Sequence, residues 1–417
     1  MSITDGTDLI DPRSYEAQGT PHRTFTELRR SDPLPFCEPK GFENFWAVTR
    51  HADICEISKQ PNLFLNSKGI VILDDDQQIS RDEGIGAMRT IIEMDPPEHV
   101  TYRKVTSAWF TPRALGRLND LIENSARHLV DSLAGPSGDG ECDYAIDVAA
   151  AHPLRILCSV LGVPREEEGR VLRLTNQLFA ADDPELQRSA EDRNAAMREL
   201  GFELFEFFSK VIEDRRANPR DDLASIIANA KIGDEPMGPM ETFGYCLIIF
   251  TAGHDTTKNA LVGAMEAFLN NPEQLDRLRR GGDEIIDSAV EESVRWVTPV
   301  NYMKRTAARE TTLRGRTIAE GDQLVLFYAS ANRDEEVFED PFDFRIDRTP
   351  NPHLGFGIGE HFCLGAHLAR RSQAALLRQL ATRLESVERI GDPEQIRSSF
   401  VVGLKHLPVR YRFTPAA

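Results

Sequence analysis

Apolar residues recur every three or four positions along most of the chain, which is the spacing of amphipathic helices. The pattern is almost wholly helical from Pro153 to Asn270. Its most apolar part is METFGYCLIIFTAGHDTTKNALVGAMEAFLNN, for which we predict a single helix of about thirty residues. Charged residues interrupt this stretch, so we predict a buried core helix and not a membrane span.

Strand-like alternation is confined to short segments. FWAVTRHADICEISKQ predicts a strand followed by a helix, MKRTAARETTLRGRTIAEGDQLVLFYAS predicts several strands, and LPVRYRF predicts a final strand. The stretch from Asn66 to Pro97 mixes glycine, acidic residues and a small apolar patch, which predicts a long loop of the kind that is often functional. The pattern therefore indicates a mainly α protein with a small β-rich region.

Composition narrows the class of partner and the compartment. The chain has 417 residues and a net charge of −18, which argues against general binding to nucleic acid or to an anionic membrane. The N-terminal residues are polar and acidic and do not resemble a signal peptide. The six cysteines are scattered without a CxxC pair: Cys37, Cys55, Cys142, Cys158, Cys246 and Cys363. This spacing indicates neither a zinc site nor a disulfide framework and favours a cytoplasmic location.

One cysteine has unusual surroundings. In HLGFGIGEHFCLGAHLAR, Cys363 follows Gly357 and Gly359 and precedes Gly365, and the residues after it predict a helix. Glycines allow a tight turn and a close approach to a bulky group. A sulfur at a helix N terminus is favoured as the thiolate. A nucleophilic cysteine and a metal thiolate both fit this pattern.

The second candidate is AGHDTT, residues 252–257, in the middle of the long apolar helix. Glycine, aspartate and threonine are poor residues for a helix interior. In a purely structural interpretation, the threonines bond back to carbonyls one turn earlier and Asp255 pairs with a distant base. In a functional interpretation, the helix has a groove there, and Asp255 and Thr256 relay protons to a bound oxygen species. Taken alone, the motif favours the structural interpretation.

Two further pairs have helical spacing. Glu292 and Arg295 in EESVRW lie three residues apart on one helical face, where they can bond each other or a third partner. His99 and Arg103 in EMDPPEHVTYRK lie four residues apart and suit a carboxylate. Taken alone, each pair is more simply interpreted as a pair on a solvated helix surface, where such pairs are common.

Together and in this order, these stretches resemble the cytochrome P450 family of haem-thiolate monooxygenases. FGIGEHFCLG is similar to the family's haem-binding pattern, AGHDTT to its oxygen-activating helix, and ESVR to its Glu-x-x-Arg motif. The resemblance runs from about Phe25 to the C terminus. It implies an irregular segment over residues 1–24 and a single cytochrome P450 domain over residues 25–417, with haem between the oxygen-binding helix and the cysteine-loop helix.

The resemblance also implies residue roles. Cys363 would be the axial ligand of a haem b iron, and its anionic sulfur would favour cleavage of the O–O bond. Phe356 and Gly365 would lie against the haem. Asp255 and Thr256 would deliver protons to oxygen, which makes the functional interpretation of AGHDTT the stronger one. The helix would be opened at Gly253, which would leave room for oxygen and water.

Further roles follow for residues around the haem. The two haem propionates would be bound by four residues: His99, Arg103, Arg305 and His361. A structural lock behind the haem would be formed by three: Glu292, Arg295 and Arg348. Branched aliphatic residues of four regions would line a pocket for an apolar substrate: Ile70, Val71, Ile248, Ile249, Ala252, Val297, Val300, Val401 and Val402.

YASANRDEEVFEDPFDF, NPHLGF and GLKHLPVRYRF resemble the bacterial branch that acts on sterol side chains, methyl-branched lipids and terpenes. The resemblance implies O2 as co-substrate and electrons from a separate ferredoxin and its reductase. A local basic patch would receive the ferredoxin: Lys104, Arg113, Arg117 and Arg371. The alternatives are a peroxide-driven peroxygenase, a non-enzymatic haem-thiolate sensor or carrier and, more distantly, a cysteine hydrolase that uses Cys363 and His361.

Overall fold

The computed structural model describes residues 5–82, 89–179, 182–187 and 193–415. Within these ranges the protein is mainly helical, as the apolar spacing predicts. The α-helices are α1 (Pro12–Gln18), α2 (His22–Ser31), α3 (His51–Ser58), α4 (Asp75–Asp82), α5 (Glu98–Ser107), α6 (Pro112–Leu115), α7 (Asn119–Ala134), α8 (Ala151–Val160), α9 (Glu168–Phe179), α10 (Arg193–Ala217), α11 (Leu223–Ala228), α12 (Pro239–Asn270), α13 (Pro272–Arg280), α14 (Gly282–Val297), α15 (Tyr328–Ala331) and α16 (Ala366–Arg383).

The strands are short and form small sheets, as predicted. They are β1 (Phe36–Cys37), β2 (Phe45–Val48), β3 (Phe64–Leu65), β4 (Asp139–Asp143), β5 (Lys231–Ile232), β6 (Glu235–Pro236), β7 (Tyr302–Ala307), β8 (Thr311–Leu313), β9 (Arg316–Ile318), β10 (Gln323–Phe327), β11 (Leu384–Arg389), β12 (Glu394–Gln395), β13 (Leu404–His406) and β14 (Pro408–Phe413). The largest sheet has the order β1-β2-β10-β7-β3, and β2 pairs parallel with β10 through Trp46 and Leu324. A second sheet has the order β11-β14-β4, and three hairpins complete the β structure of the described residues.

The central helix α12 is 32 residues long, close to the length expected from its apolar pattern. Pro239 occupies its first turn, where a missing N–H costs nothing, and Pro272 follows its end. Its first half packs in a core with α8, α9 and α10, and its second half packs in another with α13 and α14. The polar motif at residues 252–257 lies between these two cores.

The structure differs from expectation at Gly253. We expected the helix to open there, but α12 is helical without interruption from Pro239 to Asn270. A Cβ on Gly253 would lie 2.9 Å from Cδ2 of Leu157, so this glycine makes room for the neighbouring α8. Close helix packing is therefore the reason for glycine at this position.

Two segments are more regular than we expected. Residues 1–24 were predicted to be irregular, but α1 forms there because the Asp11 side chain accepts a hydrogen bond from the N–H of Arg13 and Pro12 begins the helix. The long loop between Asn66 and Pro97 contains the short helix α4, and residues 83–88 of that loop lie outside the described part of the chain. Within the described residues, none of the helices combines the length and the apolar character that crossing a bilayer requires.

Candidate active site

The cysteine loop leads from residue 354 into α16 and is shaped by two left-handed glycines. Gly357 and Gly359 have φ of 68° and 79°, a backbone conformation that strongly favours glycine. At Gly359 a Cβ would also lie 2.4 Å from the carbonyl oxygen of Ser58, so the loop passes tightly against α3. The N–H of Cys363 donates to the carbonyl of Phe356 at 2.9 Å, which fixes the turn that presents the sulfur.

The sulfur of Cys363 faces an internal cavity of about 240 Å³. Its exposed surface belongs to this cavity, so the thiol is nonetheless enclosed by protein. Burial raises the pKa of the Cys363 thiol, while the N–H of Gly365 and the charge of Arg103 act in the opposite direction. A nearby cation in the cavity would be needed to hold the sulfur as a thiolate.

The same cavity brings together most of the predicted site residues. These are His99, Arg103, Ile248, Ile249, Ala252, Thr256, Val300, Arg305, Phe356, His361, Cys363 and Gly365. They come from α5, α12, β7 with the residues just before it, and the cysteine loop, which are distant in the sequence. The cavity therefore lies between α12, the predicted oxygen-binding helix, and the loop before α16, where the resemblance places haem.

One edge of the cavity is lined by cationic or basic groups. The rings of His99 and His361 lie 4.0 Å apart, and the guanidinium of Arg103 donates to the carbonyl of Phe362 at 2.5 Å. Burial, reinforced by Arg103, lowers the pKa of His99 to about 4. Burial and the charges of His99, Arg305 and Arg103 lower the pKa of His361 to about 2. The two histidines are then uncharged near neutral pH, and the charges of Arg103 and Arg305 favour an anion at this edge.

Polar atoms at this edge are left without partners. Nδ1 of His99 and Nε2 of His361 are buried and have no hydrogen-bond partner. Burial lowers the pKa of Arg305, whose Nη1 donates to the carbonyl of Lys304 at 2.8 Å. Because buried polar atoms are nearly always paired in native proteins, these groups fit the two carboxylates of a bound haem.

Above the sulfur, α12 presents one face to the cavity. Ala252 and Thr256, four residues apart, both line it, and the Thr256 hydroxyl donates to the carbonyl of Ala252 at 2.6 Å. Thr257 bonds back to Gly253 in the same way at 2.9 Å. These two bonds are those expected from the structural interpretation of the motif. Asp255 is buried behind the cavity wall, and its Oδ1 lies 3.6 Å from Nδ1 of the neighbouring His254.

The predicted structural lock is a buried network on α14. Arg295 donates from Nε and Nη2 to the two oxygens of Glu292, each at 2.7 Å, and Arg348 approaches the same carboxylate at 3.2 Å. The two arginines also donate to main-chain carbonyls of Asn332 and of residues 339–343. The network thus ties α14 to the irregular segment that leads to the cysteine loop.

Five predicted pocket residues lie outside the central cavity. Val297 packs against Gly263 of α12, where a Cβ would lie 2.5 Å from its Cγ2. Val401 and Val402 pair with Val300 and Pro299 from behind, so they form a second layer.

The long loop over residues 66–97 does not place its predicted residues, Ile70 and Val71, in the central cavity. The carbonyl of Ile70 accepts from the N–H of Lys304 at 2.7 Å, and Val71 lines a second cavity with Phe42 and Phe400. The central cavity is instead lined by apolar residues that the sequence analysis did not single out: Ile91, Ile92, Pro299 and Met303. Ile91 and Ile92 are adjacent apolar residues near the end of this loop, and this pattern could have identified them as pocket residues from the sequence.

Comparison with known proteins identifies the class. A family model described as Cytochrome P450 matches residues 64–413, and the chain belongs to this family. It is a haem-thiolate monooxygenase that uses O2 and an organic substrate. The predicted family, fold and reaction class are confirmed.

Particular relatives share nearly the whole chain. Cytochrome P450-terp of a Pseudomonas species is 37% identical over 97% of this chain and 96% of its own. Steroid C26-monooxygenase of Mycolicibacterium smegmatis is 35% identical over 98% of this chain and 95% of its own. The crystal structure of CYP108D1 from Novosphingobium aromaticivorans has a TM-score of 0.89 and 35% identity over 98% of both chains.

Proposed function

We propose that this monooxygenase carries haem b in the central cavity and hydroxylates a steroid, a terpenoid or another lipid-like molecule, with electrons from a separate ferredoxin and its reductase. The observation that carries the proposal is the shared cavity of Cys363 and Thr256, which also has a cationic edge and aliphatic walls. A cytoplasmic location stays a prediction.

The haem would be held by residues that already face one another. Cys363 would ligate the iron, and Phe356 and Gly365 would lie beside the ring. The propionates would accept hydrogen bonds from four residues: His99, Arg103, Arg305 and His361. The iron, bound to a thiolate, would supply the activation of O2 and the insertion of one oxygen atom into a C–H bond.

The cavity face of α12 would guide protons. The Thr256 hydroxyl donates its hydrogen to the Ala252 carbonyl. The lone pairs of its oxygen can therefore accept a hydrogen bond from a ligand or a water. Asp255, the next residue back, would supply protons to this point after its carboxyl turns toward the cavity. The aliphatic walls would exclude bulk water and limit unproductive proton leakage.

The walls support an apolar substrate. Ile248, Ile249, Val300 and Met303 face the cavity together with Ile92. Branched aliphatic walls bind hydrocarbon surface through burial, and that burial stabilises by roughly 25 cal/mol per Å². The similarity to a steroid monooxygenase supports the same substrate class.

The ferredoxin would approach the face formed by α5, α6 and α16. Lys104 and Arg113 are exposed there. Arg371 of α16 donates to the carbonyl of Pro112 at 2.8 Å and so ties the helix after the cysteine to α6. Arg117 stacks over the Trp109 ring at 4.9 Å and pairs with Asp221 at 3.1 Å, which leaves it less available to a partner.

A spectral experiment tests the proposal. The purified holoprotein should show the long-wavelength absorption of a reduced thiolate–iron–carbonyl complex, and Cys363→Ala should abolish it. Titration with sterols, terpenes, fatty acids and aromatics should displace iron-bound water for the apolar classes. A Cys363→Ala protein that kept the band would remove the ligand assignment, and a response to charged or sugar-like ligands alone would remove the substrate class.

A further inference from the structure

His254 lies on α12 beside Asp255, on the side of the helix that turns away from the cavity. Its side chain has 0% exposure, and the ring of Phe250 stacks on it at 6.4 Å with an interplanar angle of 13°. The proposed haem-binding, proton-relay and substrate contacts do not involve this histidine. Because the imidazole of His254 and the carboxyl of Asp255 are both buried, the protein groups around them determine which of their atoms carry a hydrogen.

One ring nitrogen has a defined partner. Nε2 of His254 lies 3.2 Å from the carbonyl oxygen of Ala150, the residue immediately before α8. A carbonyl only accepts hydrogen bonds, so Nε2 carries a hydrogen. In a neutral imidazole the other nitrogen, Nδ1, is then a bare acceptor.

That bare nitrogen would face a second acceptor. Nδ1 has no hydrogen-bond partner and lies 3.6 Å from Oδ1 of Asp255, while Oδ2 of Asp255 is also buried without a partner. An ionised carboxylate only accepts, and two acceptors facing each other in a buried site are unfavourable. One additional proton, on either Nδ1 or the carboxyl, converts the contact into an attraction.

We propose that His254 is a positioning residue for proton delivery, which holds Asp255 through Nδ1 and keeps one proton on the His254–Asp255 pair. The proposal rests on the proposed relay of Asp255 and Thr256. In each turnover the proton leaves the pair through the Asp255 carboxyl toward the oxygen beside Thr256. The pair then takes up one proton from water before the next turnover.

A second buried histidine provides a matched control. His152 on α8 is 1% exposed, its Nδ1 lies 2.9 Å from the Ser125 hydroxyl, and its Nε2 lies 3.0 Å from the carbonyl of Ser372. Both partners are neutral, and burial lowers the pKa of His152 to about 4. His152→Phe therefore removes a buried imidazole that carries no additional proton.

Three variants at position 254 separate the contacts. His254→Asn places an amide donor near the position of Nδ1, His254→Gln places an amide near Nε2, and His254→Phe keeps only the ring packing on Phe250. The assay uses holoprotein supplied with a ferredoxin and its reductase. The substrate is a steroid ketone or a monoterpene alcohol, whichever gives the larger spectral shift. We expect His254→Phe to release more peroxide per electron pair than the wild type. The increase should be on the order of tenfold, the size typical of losing a partner behind a functional group.

The pattern among variants identifies the role. His254→Phe and His254→Gln should both uncouple and show a larger solvent isotope effect on product formation, because each lacks a donor toward Asp255. His254→Asn should recover part of the coupling, since it restores that donor. His152→Phe should keep the isotope effect of the wild type, and all variants should keep the carbonyl band and the affinity for the probe.

A measurement without turnover is also decisive. Nitrogen NMR of protein labelled in its histidines, assigned by the signal lost in His254→Gln, should show an Nδ1 of His254 that is either protonated or accepts a strong hydrogen bond from a protonated Asp255. An unprotonated Nδ1 beside an ionised Asp255 overturns the inference. If Asp255→Asn uncouples turnover while His254→Phe behaves as wild type, the relay stands and the role of His254 falls; if Asp255→Asn is fully coupled, the relay itself falls.

Discussion

Glu292 should be the most costly acidic side chain to neutralise on α14. Its side chain and that of Arg295 are 0% exposed, and Arg348 is 4% exposed. The carboxylate also accepts from the main-chain N–H of Arg345 at 2.9 Å and from the Asn351 amide at 3.2 Å. Glu292→Gln keeps the shape, but it leaves two buried guanidinium groups without their counter-charge.

The expected loss is large compared with the stability of the fold. Breaking a buried ion pair by removing one partner costs about 3–5 kcal/mol, whereas folded proteins are stable by about 5–15 kcal/mol. The amide group of the introduced glutamine would also point one of its hydrogens at an Arg295 donor, which adds an unpaired polar contact. We therefore expect a protein that folds marginally and loads haem poorly, because the network supports the segment before the cysteine loop.

Denaturant unfolding followed by far-ultraviolet circular dichroism and by haem absorbance measures the effect. The control is Glu388→Gln, whose partner Arg410 is 56% exposed in a surface pair that should contribute less than about 1 kcal/mol. Glu292→Asp keeps the charge and should be intermediate. A loss below about 1 kcal/mol for Glu292→Gln would refute the reasoning, since it would mean that solvent or another charge compensates the arginines.

Three further outcomes follow from the site and its surroundings. Thr256→Ala should release peroxide in place of product at unchanged substrate affinity, measured as product per electron pair, and a fully coupled variant would return the hydroxyl to a structural role. Lys104→Glu with Arg113→Glu should slow ferredoxin-driven reduction and flatten its salt dependence in stopped flow, and an unchanged rate at low salt would place the partner elsewhere. Burial raises the pKa of Glu291, but the hydrogen bonds from Arg370 outweigh it and hold that pKa at about 2, below the ordinary 4.5. Ionised Glu291 therefore stabilises the fold fully above pH 4.5, and this contribution is lost as the pH falls toward 2. The difference in denaturant midpoint between the wild type and Glu291→Gln should vanish over that range, and a constant difference would contradict the reasoning.

Local patterns in the sequence predicted the parts of the site that local geometry determines. Glu292 and Arg295 meet because residues three apart share a helical face. The long helix α12 follows from its apolar spacing, and the cysteine loop follows from glycines that the turn requires at Gly357 and Gly359. Each of these features needs only neighbouring residues to form.

The path of the long loop over residues 66–97 could not be predicted from local patterns. Ile70 is held by a hydrogen bond from Lys304, and Glu43 binds the Lys304 amine at 2.9 Å across 261 positions in the chain. These two contacts hold Ile70 and Glu43 against β7, and Ile92 rather than Ile70 lines the central cavity. Such pairing depends on tertiary packing, which a single sequence does not encode as a local pattern.

Asp255 was predicted to act beside Thr256, but it lies behind the cavity wall that Ala252 and Thr256 line. The rotation of the helix explains this difference and could have been worked out from the sequence. Successive residues of an α-helix are turned by about 100°, so Asp255 does not share the cavity face of Ala252 and Thr256. The hydroxyls of this segment satisfy themselves by bonding back one turn, as Thr256 and Thr257 do.

Within residues 251–258, all of them described, the buried side-chain atoms left without partners are Nδ1 of His254 and Oδ2 of Asp255. A helix between two apolar cores gains nothing in stability from unpaired buried polar atoms, which cost free energy. A proton held by the His254–Asp255 pair, as proposed, would turn one of the two facing acceptors into a donor and so pair Nδ1 with Oδ1.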